Sequence, residues 1–211
     1  MVAKTEQEQL EDIKHWWEKN GKFVLVVIVL AFSGAIGGKV WRDYQAATEE
    51  RLSVEYETLL QQVQNGDADQ ALQLGSRFIE QNSDSGYAVL VALALAKLEA
   101  ERSQLDNARL RLQWALEQAP DAALAHVARL RLARVLMAQD QLDQALSLAS
   151  VTETGEFAHN YAAIKGDIYR RKGDTALART AYQAALDDSD TSPQLRNLLQ
   201  MKLDALGGAN D

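Results

Sequence analysis

Four alanines recur at nearly constant spacing in the C-terminal part of the chain, at positions Ala71, Ala108, Ala145 and Ala178. They are 37, 37 and 33 residues apart. Each opens a stretch whose apolar residues follow helical spacing, and each follows a short polar turn. A unit of this length folds as two helices and cannot bury its apolar face alone, so several units must stack. The period therefore predicts an all-α solenoid.

The last of these units matches the tetratricopeptide-repeat (TPR) pattern at its small, aromatic, turn and second-helix positions. The matching residues are Gly166, Tyr169, Gly173, Asp174, Ala178, Tyr182, Ala185 and Leu186. The first unit keeps a turn at Gly66 and the alanine Ala71, but it carries Gly75 and Phe78 at two packing positions. The repeats are therefore recognisable in all four units and least regular in the first.

Both ends of the array can be placed from the sequence. Residues 42–64 contain no glycine or proline and predict a linker helix that enters the first repeat, so that residues 65–211 form the TPR-like domain. At the other end, Thr191 or Ser192 is a candidate N-cap and Pro193 suits a first helical turn. The predicted capping helix has one apolar face, formed by Leu195, Leu198, Leu199, Leu203 and Leu206.

Residues 23–38 carry no charge and lie between Lys22 and Lys39. The segment is too long for a buried strand, and its flanking lysines can extend towards water. Tryptophans favour membrane interfaces, and here they lie near both ends, at Trp16, Trp17 and Trp41. The sequence therefore predicts a transmembrane helix over residues 23–41, preceded by a cytoplasmic tail at residues 1–22 and followed by a domain outside the cytoplasm.

A cleavable signal peptide is the alternative for this segment, but a tail containing several acidic residues differs from a short basic n-region. Four lysines before the span against three basic residues after it give only a small positive-inside difference. Within the span, Gly34 and Gly38 are four residues apart, a spacing that lets another helix approach closely. Tolerance of glycine in membrane helices explains the same pair equally well.

Composition argues against several function classes. The formal charge of -8 and the pI of about 5.0 oppose binding to nucleic acid, and the chain contains no cysteine. Its three histidines, His15, His126 and His159, lie far apart in sequence without neighbours spaced as metal ligands. We therefore predict no catalytic, cofactor-binding or metal-binding residues, no cofactor and no small-molecule substrate.

A basic and apolar strip is predicted on the concave face, where the first helices of TPR units line up. Arginine can bind a carboxylate through two hydrogen bonds, so the strip is suited to an acidic segment or a C-terminal carboxylate. The alternative is that its basic residues pair with Asp167 or Glu101 of the same domain. The predicted partner-binding residues are Leu93, Lys97, Leu130, Arg134, Met137, Arg170 and Arg171.

Several segments are more specific than TPR spacing. They are IKHWWEKNGK, LRLARVLMAQDQLDQAL, GDIYRRKGDTALARTAYQAAL and the ending LLQMKLDALG. In these segments and in the order of its parts, the chain resembles the YfgM family of TPR-containing ancillary subunits of the bacterial Sec translocon. The resemblance implies a single-pass inner-membrane protein with a periplasmic TPR domain. It also implies two partners, the SecYEG channel and a membrane-anchored periplasmic chaperone that resembles peptidyl-prolyl isomerases.

Three classes of function follow from these observations. The first is a non-catalytic scaffold that brings periplasmic chaperones and newly translocated chains together at the translocon. The second is a self-associating membrane scaffold, driven by Gly34 and Gly38, or a regulatory binding protein unrelated to translocation. An enzyme or an enzyme inhibitor is the third, and an enzyme would require convergent titratable groups in an enclosed cleft.

Overall fold

The computed structural model describes the backbone of residues 6–207, and within that range it leaves undescribed the side chains of residues 6–13, 18, 24–38, 40, 42 and 64. The described backbone is helical apart from short connections and contains no strand, as the sequence predicts. The helices are α1 (Glu6–Gln64), α2 (Ala68–Gln81), α3 (Gly86–Glu101), α4 (Leu105–Glu117), α5 (Ala122–Ala138), α6 (Leu142–Ala149), α7 (Ala158–Lys172), α8 (Thr175–Asp187) and α9 (Pro193–Gly207), with a short 3-10 helix at Gly155–Phe157.

The chain divides into two compact units, Met1–Val54 and Glu55–Asp211. In the first unit, Trp16, Trp17 and Trp41 are exposed, and the indole of Trp17 covers Gly21, which is buried. Among the residues that the structure describes, no helix is both long enough and apolar enough to cross a membrane. The centre of the predicted span, including Gly34 and Gly38, lies outside the described side chains.

The second unit is an array of helix pairs in which the end of α1 and α2 form the first repeat, and α3–α4, α5–α6 and α7–α8 form the next three. The four alanines that define the period are all fully buried at the start of the second helix of each pair. A methyl group at this position lets the two helices of a repeat approach closely. The equal burial of Ala71, Ala108, Ala145 and Ala178 shows that their spacing is the period of the helix pairs.

Each repeat turns between its two helices through one residue in the left-handed region. These residues are Gly66, Ser103, Asp140 and Gly173, with φ values of 84°, 60°, 60° and 85°. They have the same spacing as the four alanines. After three of the turns, the amide of the next residue donates to a carbonyl five residues back, for example Gln104 N to Glu99 O at 2.8 Å, a bond that closes the first helix.

Equivalent polar contacts tie each repeat to the one before it. Arg102 lies 2.6 Å from Asp69, Gln139 donates to Asp106 at 2.8 Å, and Lys172 pairs with Asp143. In each case the donor is at the end of a first helix and the acceptor is in the first turn of the preceding second helix. The contacts recur with the repeat and connect successive units at the surface.

The capping helix α9 begins as expected, with one correction to its apolar face. Ser192 is the N-cap, because its hydroxyl accepts from the amide of Leu195 at 3.3 Å. Leu199, Leu203 and Leu206 are buried in a core cluster with α8, whereas Leu198 is 45% exposed. The prediction of a single face that includes Leu198 was wrong because Leu198 lies one residue before Leu199, about 100° around the helix from it.

Candidate partner-binding groove

A groove of about 580 Å³ separates the first helices of the second and third repeats. Small residues of α3 and one valine of α5 form its apolar floor, and charged side chains rise around it. The lining residues are Ala96, Lys97, Ala100, Glu101, Leu112, Arg131, Arg134 and Val135. The groove thus lies where TPR arrays present their concave face, and we call it the α3–α5 groove.

The charged lining of the α3–α5 groove is predominantly basic. Lys97 is 3.7 Å from Glu101, one turn along the same helix, and both are well exposed. Arg131 donates to the carbonyl of Leu93 at 3.0 Å, which fixes it against α3. Arg134 forms no ion pair with the residues that the structure describes. Three cations and one carboxylate therefore meet in a region of an otherwise acidic chain.

Arg134 has an electrostatic environment unlike that of an isolated surface arginine. Although its side chain is exposed overall, desolvation by the surrounding helices lowers the pKa of its guanidinium. The charge of Asp167 on α7 acts against that shift, and the nearby Arg131 adds to it. Both arginines remain charged at any physiological pH. A carboxylate bound in the groove would therefore offset the repulsion between Arg131 and Arg134.

The structure separates the seven predicted partner-binding residues into three groups. Lys97 and Arg134 lie together in the α3–α5 groove. Leu93 and Leu130 are only 4% and 5% exposed and belong to the central core, against which Met137 is also packed. These apolar residues therefore stabilise the array and offer little surface to a partner. The apolar floor comes from Ala96, Ala100 and Val135 instead.

The remaining two predicted residues lie on α7, outside the groove lining. Arg171 donates to the carbonyl of Met137 at the end of α5 and so ties the fourth repeat to the third. Arg170 is exposed; burial raises the pKa of the Tyr182 hydroxyl, and Arg170 acts against that shift. The alternative, in which basic residues of the strip pair within the domain, therefore holds for Lys97, which pairs with Glu101. Arg171 instead donates to a backbone carbonyl.

The sequence analysis missed Arg131, although the signal for it was present. Arg131 precedes Arg134 by three residues, a spacing that places both side chains on one face of a helix. The inward TPR positions predicted on this helix are Leu130, Arg134 and Met137, which do not include Arg131. Within the described part of the chain, no three His, Cys, Asp or Glu side chains are arranged to hold a metal ion.

The fold and the groove define a TPR-type interaction domain. A family model described as a tetratricopeptide repeat-like domain matches residues 14–208. Across nearly its whole length the chain is also similar to proteins described as the ancillary SecYEG translocon subunit. The relative from Aggregatibacter actinomycetemcomitans is 38% identical over 203 residues, covering 95% of this chain and 97% of the relative.

Two further relatives carry the same description. The Haemophilus influenzae protein is 31% identical over 95% of this chain and 97% of its own length. The Escherichia coli protein is 30% identical, with coverage of 97% and 98%. The chain belongs to the YfgM family of ancillary SecYEG translocon subunits, which confirms the resemblance drawn from the sequence. This family is non-catalytic.

Proposed function

We propose that this protein is a membrane-anchored scaffold that associates with SecYEG and binds an acidic segment of a partner protein in the α3–α5 groove. The description of its relatives supports the translocon association. The groove supports the acidic ligand because Lys97, Arg131 and Arg134 converge there against the single carboxylate of Glu101. That excess of positive charge is the observation on which the proposal rests.

The apolar floor of the groove indicates how such a segment would bind. Ala96 and Ala100 leave space above α3, and Val135 bounds the space on α5. A short apolar side chain placed there would lose contact with water, while a neighbouring carboxylate reached Arg134 or Arg131. We therefore expect a partner segment that combines an apolar residue with a nearby acidic side chain or a C-terminal carboxylate.

The proposal includes a topology. Residues 23–41 cross the inner membrane once, with residues 1–22 in the cytoplasm and the array in the periplasm. The uncharged stretch of residues 23–38 and the flanking tryptophans support the span. In the periplasm the groove would face newly translocated chains, and a membrane-anchored chaperone of the peptidyl-prolyl isomerase type is the proposed additional partner.

Charge reversal tests the groove. Arg134→Glu combined with Lys97→Glu should lower recovery of SecYEG or of crosslinked periplasmic partners about tenfold or more, because carboxylates in the groove lining would repel the acidic segment. Arg179→Glu is the matched control, since Arg179 is exposed on α8 away from the groove. Normal recovery by a double variant with an unchanged melting temperature would exclude the groove as the binding surface.

Single-cysteine labelling tests the topology without interference from native thiols, because the chain has no cysteine. His15→Cys and Ala123→Cys both alter exposed positions, one in the tail and one in the array. An impermeant maleimide should modify position 123 in intact spheroplasts and position 15 only after lysis. The reverse labelling would contradict the proposed orientation.

A further inference from the structure

Asp167 occupies, in the fourth repeat, the position that Lys97 and Arg134 occupy in the second and third. The separations of 37 and 33 residues are those of the repeat alanines. All three residues lie on first helices, α3, α5 and α7. The equivalent position is therefore basic in the second and third repeats and acidic in the fourth.

Asp167 is held by two residues of the following helices. The hydroxyl of Tyr182 on α8 donates to its carboxylate at 2.7 Å, and the ammonium group of Lys202 on α9 lies 2.6 Å from the same oxygen. Lys202 also lies 5.6 Å from the centroid of the Tyr182 ring, within the range of a cation–π contact. The side chains of Asp167 and Lys202 are both only about a quarter exposed (23% and 24%), so this pair is partly shielded from solvent.

The same carboxylate acts on Arg134. Helices α5 and α7 pack against each other; desolvation lowers the pKa of the Arg134 guanidinium, and the charge of Asp167 acts against that shift. Asp167 is thus an acidic group of the chain itself, placed near a cation that the proposed ligand would also use. Its ion pair with Lys202 offsets its negative charge and holds it towards α9.

We propose that Lys202 sets the affinity of the α3–α5 groove for acidic segments by holding Asp167 away from Arg134. This inference rests on the function proposed above. Lys202 and Asp167 are positioning residues, which act on the ligand through Arg134 and need not touch it. Without the charge of Lys202, Asp167 becomes an internal counter-ion for Arg134, and an external carboxylate must then compete with it.

The test uses the full-length protein in detergent micelles and a fluorescein-labelled peptide of twelve residues that contains three glutamates among alanines and leucines. A peptide with glutamines at those positions is the uncharged control. Lys202→Met removes the charge but keeps an apolar stem over Tyr182, Lys202→Arg keeps the charge, and Asp167→Asn removes the competing carboxylate at constant shape.

Fluorescence anisotropy should show that Lys202→Met weakens binding of the acidic peptide by about five- to tenfold, within the usual range of coupling between sites. Lys202→Arg should bind like the wild type, and Asp167→Asn at least as tightly. The double variant Lys202→Met with Asp167→Asn should recover wild-type affinity, because nothing then competes for Arg134. Binding of the glutamine peptide should be the same in all variants.

Two results would overturn the inference while the proposed function stands. One is unchanged affinity in Lys202→Met. The other is a loss in Lys202→Met that Asp167→Asn does not restore, which would mean that Lys202 acts through the packing of α9. If the wild-type protein does not distinguish the glutamate peptide from the glutamine peptide, the proposed acidic ligand and the inference both fail.

Discussion

In the fourth repeat a glycine on the first helix faces a tyrosine on the second, whereas in the first repeat a leucine on the first helix faces a glycine on the second. The pairs are Gly166 with Tyr182 and Leu59 with Gly75, and they occupy equivalent positions. These two repeats therefore fill the space between their helices with one large side chain each, but from opposite sides. In both, a glycine and one large residue share the crossing, which permits close packing.

Because Leu59 faces Gly75, the first repeat departs from the TPR pattern and still folds into the array. Gly75 is buried, and a methyl group built on it would lie 2.9 Å from Cδ1 of Leu59 and 2.7 Å from Cδ1 of Leu95. The absence of a side chain at Gly75 thus leaves room for both leucines. At this crossing the large residue lies on the first helix in the first repeat and on the second helix in the fourth.

The largest expected effect comes from Gly166→Ala. The new methyl group would clash with two ring carbons of Tyr182. The Tyr182 side chain is fully buried, and its hydroxyl donates a hydrogen bond to Asp167 at 2.7 Å. Because the ring cannot move aside freely, we expect the free energy of unfolding to fall by about 3 kcal/mol. Urea unfolding followed by helical circular dichroism measures this change.

Gly86→Ala is the control for that prediction, because its new methyl group would meet only Pro120 at an ordinary contact distance of 3.5 Å. Its stability should change by less than about 0.5 kcal/mol. If Gly166→Ala is no more costly than this control, the close glycine–tyrosine contact does not limit the fourth repeat.

Gly75→Ala should destabilise the first repeat less, by about 1 kcal/mol. The atoms that it would meet are terminal methyl groups, which can rotate away, and alanine is a better helix former than glycine. A double-mutant cycle with Leu59→Ala should show that the cost of Gly75→Ala shrinks when the facing leucine is truncated. Strict additivity would argue against the proposed pairing.

The inner and outer repeats also differ at their left-handed turns. The first and fourth repeats use Gly66 and Gly173 there, whereas the second and third use Ser103 and Asp140. A side chain disfavours this conformation, so Ser103→Gly and Asp140→Gly should each raise stability by about 0.5 kcal/mol or slightly more. Gly173→Ala, which has no neighbouring atom to clash with, should lower it to a similar extent. A loss of stability in both glycine variants would contradict the assigned backbone strain.

The smallest effect concerns the contact between the third and fourth repeats. The hydrogen bond with Asp143 raises the pKa of Lys172 above its ordinary value of 10.5. A raised pKa means that the charged lysine is favoured in the folded state. The contribution of this contact to the stability of the fold is therefore fully present below pH 10.5, and it is lost as the pH rises through the higher pKa that Lys172 has in the folded state. Asp143→Asn should return the Lys172 pKa towards 10.5 in an NMR titration, and an unchanged value would mean that the contact is absent in solution.

The sequence predicted the helix pairs, their turns and the buried alanines, because each repeat presents the same local signal several times. It did not predict which apolar residues of α3 line the groove and which are buried in the core. Helix α3 packs against α2, α4 and α5 and is apolar on nearly every face, so spacing alone did not distinguish Leu93, which is buried, from Ala100, which lines the groove. The contact between Lys202 and Asp167 joins residues 35 positions apart, and it depends on how α9 docks.

If a partner protein binds in the α3–α5 groove, site-specific photocrosslinking in native membranes should capture it there. A benzoylphenylalanine at Lys97 or Arg134 should form adducts with SecYEG or with a periplasmic partner. The same group at Leu110, which is 57% exposed on α4 and lies outside the groove lining, should form few. Adducts at Leu110 that equal or exceed those at Lys97 and Arg134 would mean that the partner does not bind in the groove.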